Sequence, residues 1–390
     1  MTETCDVLII GGGILGTGLA YSLAGRDVKN VVLLEKGDPG DGSTGKSAAI
    51  IRMHYTNPAT VQLALRSRDL FLNWSSEVGG ETVYSKTGWL FLVPPDQESN
   101  LRENLAMNQS LGVDAERIGP ERIAEHAPGI NMEGIGSGVY EARSGCADPN
   151  ATCRGLALYA AEHGISVQTG RPVDRILIEG DCVIGAEAGG TRYEAGATVL
   201  AAGPWSGGLS REIGLELPLE LTREQELILR IPTGEKAPSV AISNMCDRIY
   251  LRPVNETSLL LGRGYPKAYE TVDVDSFKQT NDAAFADDVL PRLGHRFPGL
   301  ERAEIERGVV GLYTVTPDWH PIVGPVQRRP GLWVATGGSG HAFKIGPALS
   351  EMLADLLVDG HCGWIDAALF APERFQTGRT FSSSYGGNRA

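Results

Sequence analysis

The chain has 390 residues, of which 42% are hydrophobic and 21% are charged, and its formal net charge at pH 7 is −13. The length allows one large or two ordinary domains of a soluble globular protein. The negative charge, with no basic run, argues against nucleic-acid and anionic-membrane partners. No apolar run is long enough to span a bilayer and no signal peptide is recognisable, so we expect no membrane association and a cytoplasmic location. The six cysteines, none in a C-x-x-C pair, are typical of reduced thiols in that compartment.

The N-terminal segment predicts a dinucleotide-binding unit. A short apolar strand runs into the motif G-x-G-x-x-G at Gly11, Gly13 and Gly16, and a helix follows. The next apolar run, Val31–Leu34, leads to Glu35, which lies 19 residues beyond Gly16. In such a unit the first glycine allows a tight turn, the second lets the backbone approach a pyrophosphate, and the third lets the helix pack on the sheet. An acid at the position of Glu35 accepts hydrogen bonds from ribose hydroxyls and disfavours a 2′-phosphate.

The elements that follow are predicted from periodicity and from glycine and proline punctuation. They are a helix over 60–78, a strand over 87–93, two short helices that begin near Glu98 and Pro120, and a helix over 153–163. Short strands are predicted at 166–168, 173–178, 183–187 and 198–203. The segment from about 218 to 300 is rich in strands, at 226–231, 239–242, 248–252 and 259–262, with a helix from about 275 to 290.

The C-terminal part returns to the pattern of the first unit after Gly311. A strand over 332–336 runs into a glycine loop at 337–341, and a helix is predicted from about 347 to 357. This return predicts that the first domain is discontinuous and that a second domain is inserted into it. The Ser/Gly-rich stretch 376–390 is predicted to be a flexible tail.

Three segments carry a resemblance to a known family. They are GGGILGTGLAYSLA with VVLLEKG near the N terminus, ATVLAAGPWS in the middle, and TPDWHPIVGP with LWVATGGSGHAFKIGPALSEMLADLL near the C terminus. Together they resemble the D-amino-acid-oxidase-like FAD-dependent oxidoreductases. Within that family they are most similar to sarcosine oxidase, of the monomeric and β-subunit types, and to the flavin half of dimethylglycine dehydrogenase. The resemblance is weak from about 80 to 140 and from 215 to 300.

The resemblance implies an α/β fold with two domains. A discontinuous, GR2-type Rossmann-like FAD-binding domain would comprise residues 1–80, 140–215 and 305–375. A substrate domain of α+β type, built on a mainly antiparallel sheet, would comprise residues 81–139 and 216–304.

The expected cofactor is FAD, for physical reasons that agree with the resemblance. The glycine motif supplies a pyrophosphate cradle, and the C-terminal glycine loop aims N–H groups and a helix dipole at the ring system. The loop after Glu35 passes beside the pyrophosphate, and family members touch adenine through the backbone at the position of Val173. The expected FAD-binding residues are Gly11, Gly13, Ile14, Leu15, Gly16, Glu35, Lys36, Ser43, Thr44, Lys46, Ser47, Val173, Ala202, Gly203, Trp205, Gly338, Gly340, His341, Ala342 and Lys344.

The FAD is expected to be noncovalent, because both attachment points of the family are replaced. Relatives of dimethylglycine dehydrogenase attach the flavin through a histidine where this chain has Lys46. Monomeric sarcosine oxidases use a cysteine where this chain has Gly311. The role of Lys46 itself is left open.

Three residues are predicted to be catalytic. Arg52 and Lys344 match the family residues that clamp a substrate carboxylate, and Tyr313 matches a tyrosine on the flavin face. The alternatives are a surface or structural ion-pair residue for Arg52, a helix-capping role for Lys344 and a buried aromatic with a satisfied hydroxyl for Tyr313. His54 and Tyr55 follow Arg52 closely and are candidates to shape the pocket. Arg252 faces either the cavity or a sheet edge, and no cluster of residues has the spacing of a metal site.

The resemblance implies oxidation of a C–N bond in an amino acid or N-methyl amino acid, by hydride transfer to flavin N5, to an imine that hydrolyses. The alternatives are the flavin subunit of a heteromeric amine dehydrogenase and a non-catalytic FAD-binding protein. The expected partners are a small amine or amino acid and oxygen or another electron acceptor, in a homo- or hetero-oligomer. Family oxidases carry a lysine over the flavin, and the strand at 258–262 has none, which favours an acceptor other than oxygen. The substrate and its chirality are left open.

Overall fold

A computed structural model describes residues 1–265 and 267–385. The strands, in chain order, are β1 (Thr2–Ile10), β2 (Val31–Leu34), β3 (Ile50–Ile51), β4 (Tyr84–Ser85), β5 (Trp89–Val93), β6 (Glu116–Ile118), β7 (Ser137–Glu141), β8 (Gly145–Ala147), β9 (Ser166–Gln168), β10 (Val173–Glu179), β11 (Cys182–Ala188), β12 (Thr191–Leu200), β13 (Glu220–Arg230), β14 (Ala241–Asn244), β15 (Ile249–Asn255), β16 (Ser258–Arg263), β17 (Glu270–Thr271), β18 (Glu304–Val315), β19 (Ile322–Pro325) and β20 (Leu332–Thr336). The helices are α1 (Ile14–Ala24), α2 (Pro58–Leu72), α3 (Trp74–Glu77), α4 (Glu98–Ser110), α5 (Pro120–His126), α6 (Pro149–Glu162), α7 (Ser206–Glu212), α8 (Ala283–Arg296), α9 (Ala342–Asp359) and α10 (Arg374–Thr377). Of the described helices, none combines the length and the apolar character that a bilayer crossing requires.

An eight-stranded sheet carries the glycine motif. Its order is β10-β11-β12-β1-β2-β9, with β20 beside β12 and β19 beside β20. β1 pairs in parallel with β2 and β12, and β12 pairs in parallel with β20. Strands covered on both faces are apolar throughout, and all four residues of β2 are buried. Because α1 contacts both α6 and α9, these helices cover the face of β1 that carries Val7 and Ile9. The expected Rossmann-like α/β fold is confirmed.

A nine-stranded sheet forms the other large layer. Its order is β17-β13-β16-β15-β14-β5-β7-β6, and β18 pairs with β13 along its length. The pairs are antiparallel except for β14 with β5, as expected for this part of the fold. Helix α8 covers one face, because Phe285, Val289 and Leu293 recur at helical spacing and are buried. A third, small sheet has the order β3-β8-β4, and both of its pairs are antiparallel.

Three predicted helices differ from the structure at their N-terminal ends by four residues or more. Helix α6 was expected from 153 but begins at Pro149, because the Asp148 side chain caps it by accepting the Ala151 N–H. Helix α8 was expected from about 275 but begins at Ala283, because the apolar stripe begins only at Phe285. Helix α9 was expected from about 347 but begins at Ala342 and contains Pro347. Buried Phe343 and Ile345 extend the core-facing surface of α9 ahead of the proline, so the helix starts directly after the glycine loop. The predicted helices that begin at Glu98 and Pro120 are confirmed.

Two strands near the predicted domain boundaries belong to the nine-stranded sheet. The boundaries themselves stay a prediction. Strand β18 pairs with β13 through eleven Cα partners, from Glu220 with Val315 to Arg230 with Glu304. It therefore belongs to the nine-stranded sheet, although residues 305–375 were assigned to the FAD-binding domain. Strand β7, at the boundary expected near residue 140, belongs to the same sheet.

The C-terminal segment is tied to the body by a buried ion pair. Arg374 donates from Nε and Nη2 to the two carboxylate oxygens of Asp318 at 2.9 and 2.8 Å, and both side chains are almost inaccessible. Beyond it, the Phe381 ring stacks on His320 with centroids 4.0 Å apart. These contacts differ from the flexible tail predicted for 376–390. The contacts of Phe381 with His320 and Asp318, and of Tyr385 with His54, hold the segment 381–385, and residues 386–390 lie outside the described part of the chain.

Candidate active site

A cavity of about 860 Å³ lies between the two large sheets. Its volume is within the range of ligand and cofactor sites. Of the residues predicted to bind the cofactor, those that line this cavity are Gly11, Gly13, Ile14, Leu15, Glu35, Lys36, Ser43, Thr44, Lys46, Ser47, Val173, Ala202, Gly203, Trp205, Gly338, Gly340 and Ala342. Gly16 does not line it, and His341 and Lys344 line a second cavity described below. The structure therefore brings both glycine-rich ends of the chain to one cavity.

The N-terminal glycine turn forms a cradle that side chains would fill. Gly11 has φ +110°, and a Cβ there would lie 2.5 Å from the Ala201 carbonyl oxygen. At Gly16 a Cβ would lie 1.9 Å from the carbonyl oxygen of Gly11. Helix α1 begins directly after Gly13, and the Ile14 N–H is bonded to Thr44 Oγ1 at 3.1 Å. The helix N-terminus and the bare backbone suit an anionic group such as a pyrophosphate.

Glu35 has structural hydrogen bonds in addition to its expected role. Its Oε2 accepts the Gly12 N–H at 2.6 Å, and its Oε1 accepts the Gly37 N–H at 2.8 Å. The carboxylate is therefore held at the end of β2, in the cavity wall that also contains Val173. A carboxylate has about four lone-pair sites, so capacity for ribose hydroxyls is left.

Two lysines line the same cavity. Lys36 Nζ lies 3.1 Å from the centroid of the Trp205 ring, and burial lowers its pKa. The side chain of Lys46 packs toward Gly311, where a Cβ would lie 3.1 Å from Lys46 Cβ. The two residues at the family attachment points are thus neighbours in space.

A second cavity of about 190 Å³ adjoins the first. The two share five wall residues, which are Ser47, Tyr313, Ser339, Gly340 and Phe343. Gly340 has φ +81°, and a Cβ there would lie 2.5 Å from the Tyr313 ring, so glycine is needed where the ring crosses the loop. All three predicted catalytic residues, Arg52, Lys344 and Tyr313, line the second cavity.

Arg52 is held by aromatic rings and main chain. Its Cζ lies 4.5 Å from the Tyr55 ring centroid and 5.4 Å from that of Trp89, and Nη1 donates to the His54 carbonyl oxygen. Within residues 1–265 and 267–385 it forms no ion pair with a carboxylate. The structural ion pair considered as an alternative is therefore absent from this part of the chain. Arg252 lines neither cavity, and its Nη1 donates to the Pro253 carbonyl oxygen at 3.0 Å.

Sequence reasoning missed a buried lysine. Lys267, four residues beyond the end of β16, is paired with Glu224, and its side chain is 7% exposed. Its Nζ lies 5.7 Å from the Tyr313 ring centroid. The expectation of an acceptor other than oxygen rests on the absence of a lysine from 258–262 alone, and this buried lysine lies just beyond that strand, so the absence no longer favours either acceptor. Glu224, Glu226 and Tyr250 were also missed. Strand β13 carries charged residues along much of its length, so the charge of these two acids did not single them out in the sequence.

A match to a family model identifies the family of the chain. The model described as FAD dependent oxidoreductase matches residues 6–356. The chain belongs to this family. It is an FAD-dependent oxidoreductase, and the resemblance and the expected cofactor are confirmed. The glycine cradle, the two helix N-termini and the cavity volume fit FAD.

Individual relatives agree with this membership. The flavoprotein is 28% identical over 368 residues to the mitochondrial pyruvate dehydrogenase phosphatase regulatory subunit of Mus musculus. The aligned region covers 91% of this chain and 42% of that protein. It is 27% identical over 387 residues to sarcosine oxidase subunit beta of Arthrobacter sp, and the aligned region covers 96% of this chain and 92% of that subunit. The crystal structure of L-proline dehydrogenase from P. horikoshii superposes with a TM-score of 0.89 at 26% identity, covering 98% of this chain and 100% of that one.

The flavoprotein is expected to release its FAD on denaturation. Flavins are attached in this family through histidine or cysteine, and none of the described residues that line the larger cavity is of either type. Acid precipitation should leave the yellow colour in the supernatant, with the mass of free FAD. Colour that stays in the pellet, or a peptide that carries the mass of a flavin, would contradict this expectation.

Tyr385 closes one side of the second cavity. Its hydroxyl lies 2.8 Å from His54 Nε2, and His54 Nδ1 has no hydrogen-bond partner among the described residues. Burial lowers the pKa of His54 to about 3, so the ring is neutral at pH 7. Tyr385→Phe would leave both ring nitrogens without partners and should lower the free energy of unfolding by about 1–3 kcal/mol.

Urea titration of the holoprotein measures this loss. The matched control is Tyr21→Phe, which removes an exposed bond of 3.4 Å to the Glu77 carbonyl oxygen and should cost less than about 0.5 kcal/mol. Equal midpoints for Tyr385→Phe and wild type would show that the tail is not docked on His54.

Among the described residues, no group of three or more histidine, cysteine or acidic side chains could hold a metal ion.

Proposed function

We propose that the flavoprotein oxidises the C–N bond of a small amino acid or N-methyl amino acid. The observation that carries this proposal is Arg52, which borders the 190 Å³ cavity next to the cofactor cavity and forms no ion pair with a carboxylate of the described chain. A half-buried cationic group at a small cavity, with no carboxylate partner among the described residues, favours an anionic ligand group. A substrate carboxylate supplies it.

Arg52 and Lys344 would orient the substrate by this carboxylate. A guanidinium can bind a carboxylate through two parallel hydrogen bonds, and its stacking on Tyr55 and Trp89 limits its rotation. Lys344, in the first turn of α9, adds a second charge at the cavity wall. FAD, when bound, supplies the acceptor for the hydride. The aromatic walls exclude water, and this desolvation lowers the pKa of a substrate ammonium.

The names of two relatives support the class of substrate. One relative is named a sarcosine oxidase subunit and another an L-proline dehydrogenase. Sarcosine and L-proline are both small amines that carry a carboxylate. The word subunit in the first name favours a second form of the proposal, in which this chain is the flavin subunit of a hetero-oligomer. Size-exclusion chromatography, combined with turnover of the purified chain with an artificial dye, distinguishes the two forms.

Anaerobic titration of the holoprotein tests the proposed reaction. The panel consists of glycine, sarcosine, L-proline and both enantiomers of alanine, and the matched controls are methylamine, dimethylamine and pyrrolidine, which lack the carboxylate. At least one amino acid should bleach the visible flavin absorbance, and the amines without a carboxylate should be much slower. Bleaching by no amino acid, or equal rates with and without the carboxylate, would overturn the proposal.

A further inference from the structure

A row of three residues crosses the nine-stranded sheet beside the cofactor cavity. Glu226 on β13 is paired with Gly262 on β16, and Gly262 is paired with Tyr250 on β15. The Tyr250 ring lies across Gly262, where a Cβ would be 2.1 Å from the ring. Tyr250 Oη donates to Glu226 Oε1 at 2.6 Å. The glycine thus makes room for a tyrosine to reach a carboxyl group two strands away.

One oxygen of Glu226 is left unused. The residue is 6% exposed, and Oε2 has no hydrogen-bond partner among the described residues. Buried polar atoms are nearly always hydrogen-bonded, and an exception calls for a ligand or another explanation. Glu226 lines the larger cavity and Tyr250 lines the smaller one. The pair therefore lies where a group bound between the cavities can reach it.

None of the charged groups around Glu226 donates a hydrogen bond to its Oε2 among the described residues. The titratable groups that face it are Tyr250 and Arg252 from β15, Glu224 from its own strand, and Lys267 from the loop after β16. Lys267 is paired with Glu224, and no ion pair joins Arg252 to Glu226 among the described residues. Burial raises the pKa of Glu226 to about 7, against the hydrogen bond from Tyr250, which lowers it. Such a carboxyl exchanges protons near neutral pH.

We propose that Glu226 accepts the proton that the substrate's ammonium group must lose before oxidation, with Oε2 as the acceptor atom. This inference rests on the proposed function. An N–H bond of the ammonium breaks, an O–H bond forms at Oε2, and the ion pair becomes a neutral amine and a neutral carboxylic acid. The freed lone pair on nitrogen is what hydride loss from the adjacent carbon requires. Tyr250 holds Oε1, so that Oε2 points to the ligand, and the proton later leaves to solvent.

Ligand binding without turnover gives the first test. 2-Aminoisobutyrate carries the ammonium and the carboxylate but has no hydrogen on its α-carbon, so it cannot be oxidised to an imine. Its affinity for wild-type holoprotein, measured by calorimetry, should fall at least tenfold from pH 8 to pH 5 as Glu226 becomes protonated. Glu226→Gln should abolish this dependence. Tyr250→Phe removes a bond that lowers the pKa of Glu226, so the midpoint should move to higher pH, a shift that a merely structural role would not cause.

Flavin reduction by the best amino acid gives the second test. Glu226→Gln should lower the rate at pH 7 by about 10²- to 10⁴-fold, the usual range for general acid–base catalysis. The loss should shrink toward pH of about 10, where the substrate amine is deprotonated in solution. Glu306→Gln, an exposed change on β18 at a carboxylate that binds Arg230 and Ser258, is the matched control and should behave as wild type.

The outcomes separate this inference from the proposed function. If amino acids reduce the wild type and Glu226→Gln keeps its rate and pH profile, the role of Glu226 is wrong and the proposed function stands. If no amino acid reduces or binds to the wild type, both are wrong. Should Glu226→Gln fail to fold, the midpoint shift in Tyr250→Phe decides, and an unchanged midpoint overturns the role.

Discussion

Gly16→Ala is expected to yield a protein that does not retain FAD. The new Cβ would lie 1.9 Å from the Gly11 carbonyl oxygen, so either α1 or the glycine turn must move. Both meet at the cradle, since α1 begins directly after Gly13. Overlap with backbone cannot be relieved by a rotamer change, and we expect a loss of about 3 kcal/mol or more in the free energy of unfolding.

Two measurements check this result. The ratio of flavin to protein absorbance should fall to near zero after desalting, and thermal unfolding should begin at a lower temperature. Gly25→Ala, at the other end of α1, is the matched control, because its φ is −64° and a Cβ would come no closer than 3.6 Å to the nearest atom. A yellow Gly16→Ala protein with wild-type affinity for FAD would contradict the proposed cradle.

Arg52→Gln is expected to lower kcat/KM for the amino-acid substrate by about 30- to 5,000-fold. This range corresponds to about 2–5 kcal/mol, the usual cost of removing one partner of a buried charge pair. The cation is held over Tyr55 and Trp89, so a glutamine cannot replace its paired N–H donors. Arg52→Lys should be intermediate, since an ammonium keeps the charge but not the planar fork.

Two controls test whether the loss of kcat/KM in Arg52→Gln comes from weaker binding of the substrate carboxylate. The ratio of wild type to Arg52→Gln should approach one for an amine that lacks the carboxylate. Arg66→Gln removes a guanidinium that also stacks on an aromatic ring, at 4.5 Å from Trp364, but pairs with Glu351 at the surface. It should leave kcat/KM unchanged. Equal losses with both kinds of substrate would assign Arg52 a structural role instead.

The predictable part of this site is encoded over short distances. A turn that needs bare backbone requires glycine at fixed spacing, so Gly11, Gly13 and Gly16 could be identified without knowledge of the fold. The same holds for the acid that ends β2 and for the glycine loop before α9. The start of α9 could not be predicted correctly because its first residues are fixed by burial of Phe343 and Ile345, a tertiary effect.

The missed residues depend on strand register and on chain segments far apart. Lys267 is recognisable only from its pairing with Glu224, which is 43 residues away. Glu226 and Tyr250, 24 residues apart, meet because Gly262 lies between them in the sheet. Tyr385 reaches His54 across 331 residues, although its segment has the composition of a flexible tail.

By itself, the sequence determined the nucleotide-binding unit, because this unit follows from local spacing and backbone sterics. Its resemblance to a known family indicated FAD and singled out Arg52 and Lys344 as the expected substrate-binding cations. Only the tertiary structure decided that Glu224 and Glu226 line the larger cavity, that Tyr250 and Tyr385 line the smaller one, and that Lys267 is buried against Glu224. Their positions depend on how strands pair and on which side chains are buried together, and these long-range contacts leave no pattern in the order of the residues.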